Sequence, residues 1–192
     1  MQSELIEQQL TPQELLDLKN KRTGLAIFQF SWILVFVCLM FVHWWMRGQA
    51  LSWPPEGVEK HGIAVPTLMT AALIASSFLA RRAKQAIKAH DLAVFRRNWQ
   101  FTIALGLLFV VVMAVEWLAV PVSGQYSNLF RVLVGFHAVH AIAIGAYLIR
   151  VYQNAQAGQY DAAHCWPVEA AASLWYFVTI AWILFYIVLY GS

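Results

Sequence analysis

The chain has 192 residues, of which 60% are hydrophobic and 12% charged, and its mean hydropathy is +0.59. These proportions exclude a soluble globular domain and a disordered chain, and they identify an integral membrane protein. The net charge of +3 comes from basic residues that flank apolar runs and bring no base-reading fold, which excludes a nucleic-acid binder.

From the N-terminus, the leader LTPQELLDLKNKR predicts a short amphipathic helix within a cytoplasmic segment, residues 1–23. Thr11 can cap it, Pro12 suits its first position, and Glu14 completes a capping box. Leu15, Leu16 and Leu18 give it an apolar side. The first apolar segment follows this charged leader and is long enough to stay in the membrane, so no cleavable signal is expected.

Apolar runs then occupy residues 24–46, 64–80, 101–120, 129–152 and 170–190. Each approaches the length that crosses about 30 Å of hydrocarbon as a helix. They are continuously apolar, without the alternation of a barrel strand. The expected fold is therefore an all-α bundle of five transmembrane helices over residues 24–192. The 81–100 connection is basic and is expected to extend the helices on either side.

Lys19, Lys21, Arg22, Arg81, Arg82, Lys84, Lys88, Arg96, Arg97 and Arg150 fall on one side of the membrane, against Arg47, Lys60 and Arg131 on the other. This asymmetry places the N-terminus in the cytoplasm and, after five spans, the C-terminus outside. The cluster Arg81, Arg82, Lys84, Arg96 and Arg97 is also suited to anionic lipid headgroups. Trp44, Trp45, Trp53, Trp99 and Trp117 fall near the expected interfaces, where indoles anchor helices. Cys38 and Cys165 lie too far apart in this topology for a disulfide.

Polar residues inside the spans are costly and call for partners. A rise of about 1.5 Å per residue puts Glu116 about 6 Å, His137 about 12 Å and His140 about 17 Å from the outer face. One of the histidines can therefore meet Glu116 on the adjoining helix, and Arg150 can meet Glu169 near the inner surface. These five residues form the expected structural polar network. The competing reading makes His137, His140 and Glu116 metal ligands, or pairs His137 with His43 around a haem. Two histidines on one helix face are poorly placed for opposite axial positions, and polar groups between membrane helices more often join the helices together.

GFHAVHAIAIGAYL, within residues 134–152, resembles a signature stretch of subunit III of the haem-copper oxidases. SWPPEGV (52–58), VPTLMTAALIASS (65–77), TIALGLLFVVVMAVEW (102–117) and VEAAASLWYFVTIAWILFYIVLY (168–190) resemble further family segments, in family order. The resemblance implies the five-helix form of a subunit that carries no haem or copper, with those cofactors in partner subunits. It further implies packing against catalytic subunit I, with subunit II and other membrane subunits in the complex, and bound phospholipid. The expected setting is the plasma membrane of a prokaryote, where the assembly reduces oxygen and pumps protons. A subunit III-like protein of a nitric oxide reductase and an independent haem-binding electron carrier are the alternatives. The sequence departs from the family pattern at Trp32, where a glutamate is usual, and at Tyr176 and Thr179, where histidine and aspartate are usual.

Overall fold

The computed structural model describes residues 10–55, 62–120 and 124–191. Lys60 and the last three residues of the 52–58 loop lie outside them. Five helices follow in order: α1 (Pro12–Gln49), α2 (Ala64–Lys88), α3 (Leu92–Ala119), α4 (Gly124–Gln156) and α5 (Trp166–Tyr190). All five are long and apolar enough to cross a membrane.

The leader and the first span form one continuous helix, where the sequence reading expects a separate short helix ahead of the span. The capping box forms: Glu14 N donates to Thr11 Oγ1 (3.3 Å), and Thr11 N donates to Glu14 Oε2 (2.8 Å). No glycine pair or proline interrupts the residues that follow, so the helix nucleated at Thr11 runs on through the span.

The 81–100 connection contracts to a three-residue turn between α2 and α3. His90 takes a left-handed φ of 60°. Asp91 N reaches Ala86 O (2.9 Å) and His90 N reaches Ile87 O (3.2 Å), the paired bonds of a Schellman motif. The Asp91 carboxylate then caps α3 by accepting from Val94 N at 3.0 Å. Such a tight turn forces α2 and α3 to lie side by side.

Helices α2, α3, α4 and α5 close into a four-membered ring, and α1 lies outside it against α5. Helix α5 is the centre of the packing. Val178, Trp182 and Phe185 are fully enclosed, and Trp175 nearly so. Gly106 on α3 makes room for Trp175: a Cβ there would sit 2.6 Å from the indole. Of the interface tryptophans expected from sequence, Trp44 and Trp45 are exposed, whereas Trp99 is completely buried inside the ring. It is held there because its Nε1 donates to Leu148 O on α4 (3.0 Å).

Helix α1 buries only Phe36 and His43 among its described residues. Its basic-end extension docks through His164 in the α4–α5 connection. The imidazole Nε2 is 3.6 Å from Glu14 Oε1, and Nδ1 is 3.1 Å from each Asp161 oxygen. The Asp161 hydrogen bond, then its charge and the Glu14 carboxylate, raise the His164 pKa above the ordinary value of 6.5.

Two outcomes are expected. Alanine at a solvent-facing helix glycine normally stabilises, yet Gly106→Ala should destabilise by about 1–3 kcal/mol through overpacking against Trp175. Gly145→Ala faces open space and should not. Thermal unfolding in detergent reads the difference, and equal midpoints would refute the packing role. Protonated His164 binds both carboxylates, so its contribution is complete below pH 6.5 and disappears as pH rises through the raised pKa. A spin label at Gln13→Cys, with Cys38→Ser, should gain mobility over that interval, and at lower pH in Asp161→Asn. A pH-independent signal would dismiss the contact.

Candidate functional site

The four-helix ring is joined by hydroxyls and indoles. Trp175 Nε1 donates to Ser76 Oγ (2.9 Å), and Trp182 Nε1 donates to Thr70 Oγ1 (2.8 Å), both from α5 to α2. Thr179 and Ser77 share a 2.7 Å bond, as do Tyr186 and Thr67. Thr102 on α3 donates to Ser76 O at 3.2 Å. The Thr- and Ser-rich stretch 65–77 therefore supplies acceptors along one side of α2. In hydrocarbon no water replaces these bonds, so each one selects a helix pairing and a register.

His137 is buried among aromatic rings from three other helices. Trp182 and Phe185 lie 5.2 and 6.2 Å away on α5, Phe109 6.0 Å away on α3, and Phe36 6.1 Å away on α1. Neither ring nitrogen has a hydrogen-bond partner among the described residues. His140 faces elsewhere, toward α1: its Nδ1 lies 2.8 Å from Phe136 O, and its ring meets Trp32 edge-on at 4.4 Å. Trp32 thus occupies, as an aromatic contact, the position where the resemblance implies a carboxylate.

Two expected pairings are not formed. Glu116 bonds neither histidine and instead lies within electrostatic reach of Tyr190. Counting residues puts all three in one half of the span, but sharing a half does not bring the side chains together. Arg150 is exposed and does not meet Glu169. Glu169 is instead bound by Lys88 of α2 and, at 3.5 Å, by Arg22 of α1. One carboxylate near the start of α5 thereby joins three helices at the basic end.

The span histidines have three different surroundings. His137 is enclosed by carbon, His140 is turned onto its own helix, and the ring contact of His43 is Trp53 at 5.6 Å. Among the described residues, no three His, Cys, Asp or Glu side chains gather closely enough for a metal.

Sequence reasoning missed a clasp at the opposite end of the bundle. The Arg131 guanidinium lies 3.9 Å from the Trp117 ring centre and donates to Trp117 O (3.1 Å) and Val120 O (2.8 Å). Trp117 Nε1 returns a bond to Arg131 O at 2.8 Å. A cation on the last carbonyls of α3 also favours the helix dipole. The signal was an arginine on the side where the charge rule leaves few. Trp53 closes the same end by packing on His43 of α1 and on Tyr126 of α4 (5.2 Å).

The sequence profile of the family described as cytochrome c oxidase subunit III matches residues 14–191. A protein named cytochrome c oxidase subunit 3 from Thermostichus vulcanus is 34% identical over 172 residues, covering 87% of this chain and 85% of that protein. Its namesake from Synechocystis sp. is 28% identical over 172 residues, covering 87% and 73%. The Drosophila melanogaster protein of that name is 28% identical over 178 residues, covering 88% and 68%. With five membrane-spanning helices and a family match over nearly its whole length, this multi-pass membrane chain belongs to the cytochrome c oxidase subunit III family.

Proposed function

We propose that this chain is the non-redox structural subunit of a terminal haem-copper oxidase in a prokaryotic plasma membrane, with haem and copper held by its partners. The near-complete family match carries this reading. The buried side chains support it as well, because they make helix–helix bonds and aromatic contacts. Subunits I and II are the proposed neighbours, and the assembly couples oxygen reduction to proton pumping. Cytochrome c is the proposed electron donor, since the relatives are named for it. The prokaryotic setting is supported by the close match in length to the Thermostichus vulcanus protein. The basic-residue asymmetry supports a cytoplasmic N-terminus.

In this reading His137, His140 and Glu169 set the geometry of the bundle, and Glu116 lines its outer end. Replacing His137 and His140 together by leucine should reduce assembly or shorten sustained turnover, while the reduced-minus-oxidised haem spectrum of the remaining complex is unchanged. Loss of a haem band, or haem retained on this chain after it is stripped from the complex, would overturn the assignment. Glu169→Gln should release α1 from α2 and α5 and cost about 1–2 kcal/mol, between the values for exposed and buried ion pairs. Arg150→Gln should have no comparable effect. Unfolding midpoints of the two purified variant complexes provide the comparison.

A further inference from the structure

Two carboxylates stand near opposite ends of the four-helix ring, and they differ in countercharge. Glu169 holds Lys88 and Arg22 at the basic end. The five basic residues expected at lipid headgroups, Arg81, Arg82, Lys84, Arg96 and Arg97, lie at that end too, exposed except for the half-buried Lys84. Glu116, at the other end, makes no ion pair or hydrogen bond with a described residue. Arg131 is the described cation nearest to it in the chain, and its guanidinium is held by the Trp117 ring and the carbonyls of Trp117 and Val120.

Glu116 does not face lipid. Thr102, Gly106, Phe109 and Met113 form the buried stripe of α3, and Glu116 continues their spacing of three and four residues, so it points into the outer mouth of the ring. Tyr126 begins the matching buried stripe of α4, followed by Phe130, Val134 and His137. Tyr190 brings α5 to the same place: its ring lies 6.1 Å from Phe130, within electrostatic reach of Glu116, Tyr126 and Tyr186. The Tyr186 hydroxyl is engaged by Thr67. The Tyr190 hydroxyl is enclosed, with no hydrogen-bond partner among the described residues.

We infer that Glu116 and Tyr190 receive a lysine or arginine side chain from another subunit, which enters the outer mouth of the four-helix ring.

A carboxylate about 6 Å inside the membrane boundary is costly unless a cation meets it. An ammonium or guanidinium supplies that charge, donates to both the carboxylate and the phenol oxygen, and lies favourably against aromatic faces. A bound calcium ion fits poorly, because it takes about six to eight oxygen ligands and Glu116 belongs to no described group of three His, Cys, Asp or Glu side chains. Depth also favours a side chain, since the aliphatic stem of lysine or arginine passes the apolar rim while its head stays polar. With Arg131 already engaged, a neighbouring chain is the source of the cation. The inference therefore rests on the proposed place of this chain in a multisubunit complex.

The test uses the intact complex. Co-purification of a haem-bearing subunit with the tagged wild-type chain checks that reading first, without involving Glu116. A benzophenone photo-crosslinker at Gln125, exposed beside Tyr126, should then join this chain to a peptide of another subunit that carries a lysine or arginine. Native mass spectrometry measures how much of the chain stays in the complex. Retention should fall about tenfold in Glu116→Gln, between the effects of exposed and buried charge pairs, and by less in Tyr190→Phe. Arg150→Gln, at the opposite end, should retain the chain as the wild type does. Glutamine in place of the partner's cation should cause the same loss as Glu116→Gln and add nothing to it. Losses that add, a crosslink found only within this chain or on lipid, or full retention of the Glu116→Gln chain would each overturn the pairing. The crosslink requires no change at Glu116, so it decides the question even where a Glu116 variant fails to fold.

Discussion

Two tryptophan hydrogen bonds, Trp175 to Ser76 and Trp182 to Thr70, set the position of α5 against α2, and the remaining helices are arranged around that pairing. Apolar surfaces in hydrocarbon gain little from packing on one another compared with packing on lipid, so helix choice falls to shape and to polar groups that have no other partner. An indole N–H is such a group. Once Trp175 is committed to Ser76, its ring projects toward α3, and only a glycine at position 106 lets that helix close the ring. Thr102, one turn away on α3, then reaches the backbone of Ser76 itself. A single locus on α2 thus registers two neighbouring helices.

The ends of the bundle are secured by a different chemistry, suited to partial exposure to water. Glu169 gathers Lys88 and Arg22 at the basic end, and Arg131 closes the last carbonyls of α3 at the other. Water weakens individual ion pairs of this kind. A carboxylate shared by two cations, or a guanidinium stacked on an indole while it donates twice, holds its geometry better because each contact restricts the next.

Much of the architecture was legible in the sequence because hydrocarbon imposes a one-dimensional constraint. Length and hydropathy located all five spans, and the Thr11 and Glu14 capping box was readable from spacing alone. The partners within the bundle were not readable in this way. Counting residues gives the depth of a side chain but not its angle about the bundle axis. Glu116 and the two histidines share a half of the membrane, and Arg150 and Glu169 share an end, yet neither pairing forms. Lys88 and Arg22 are remote from Glu169 in sequence, and only the packing of α2 and α1 against α5 brings them to it. His137 and His140 illustrate the same limit within one helix: three positions apart leaves them only about 60° apart around the helix, yet one enters the aromatic core and the other turns toward Trp32.

Helix α1 carries the logic one step further. It touches the ring through separate contacts at successive heights: Glu14 with His164, Arg22 with Glu169, Gln29 with Ser173, Trp32 with His140 and Phe36 with Phe185. Between them its remaining face is exposed and includes Phe30, Leu34, Phe41 and Trp45. The helix is thus pinned at intervals, with a groove left along one flank, while the other four helices close on one another. Enclosure is greatest where indoles and hydroxyls join the four-helix ring, and exposure is greatest along α1.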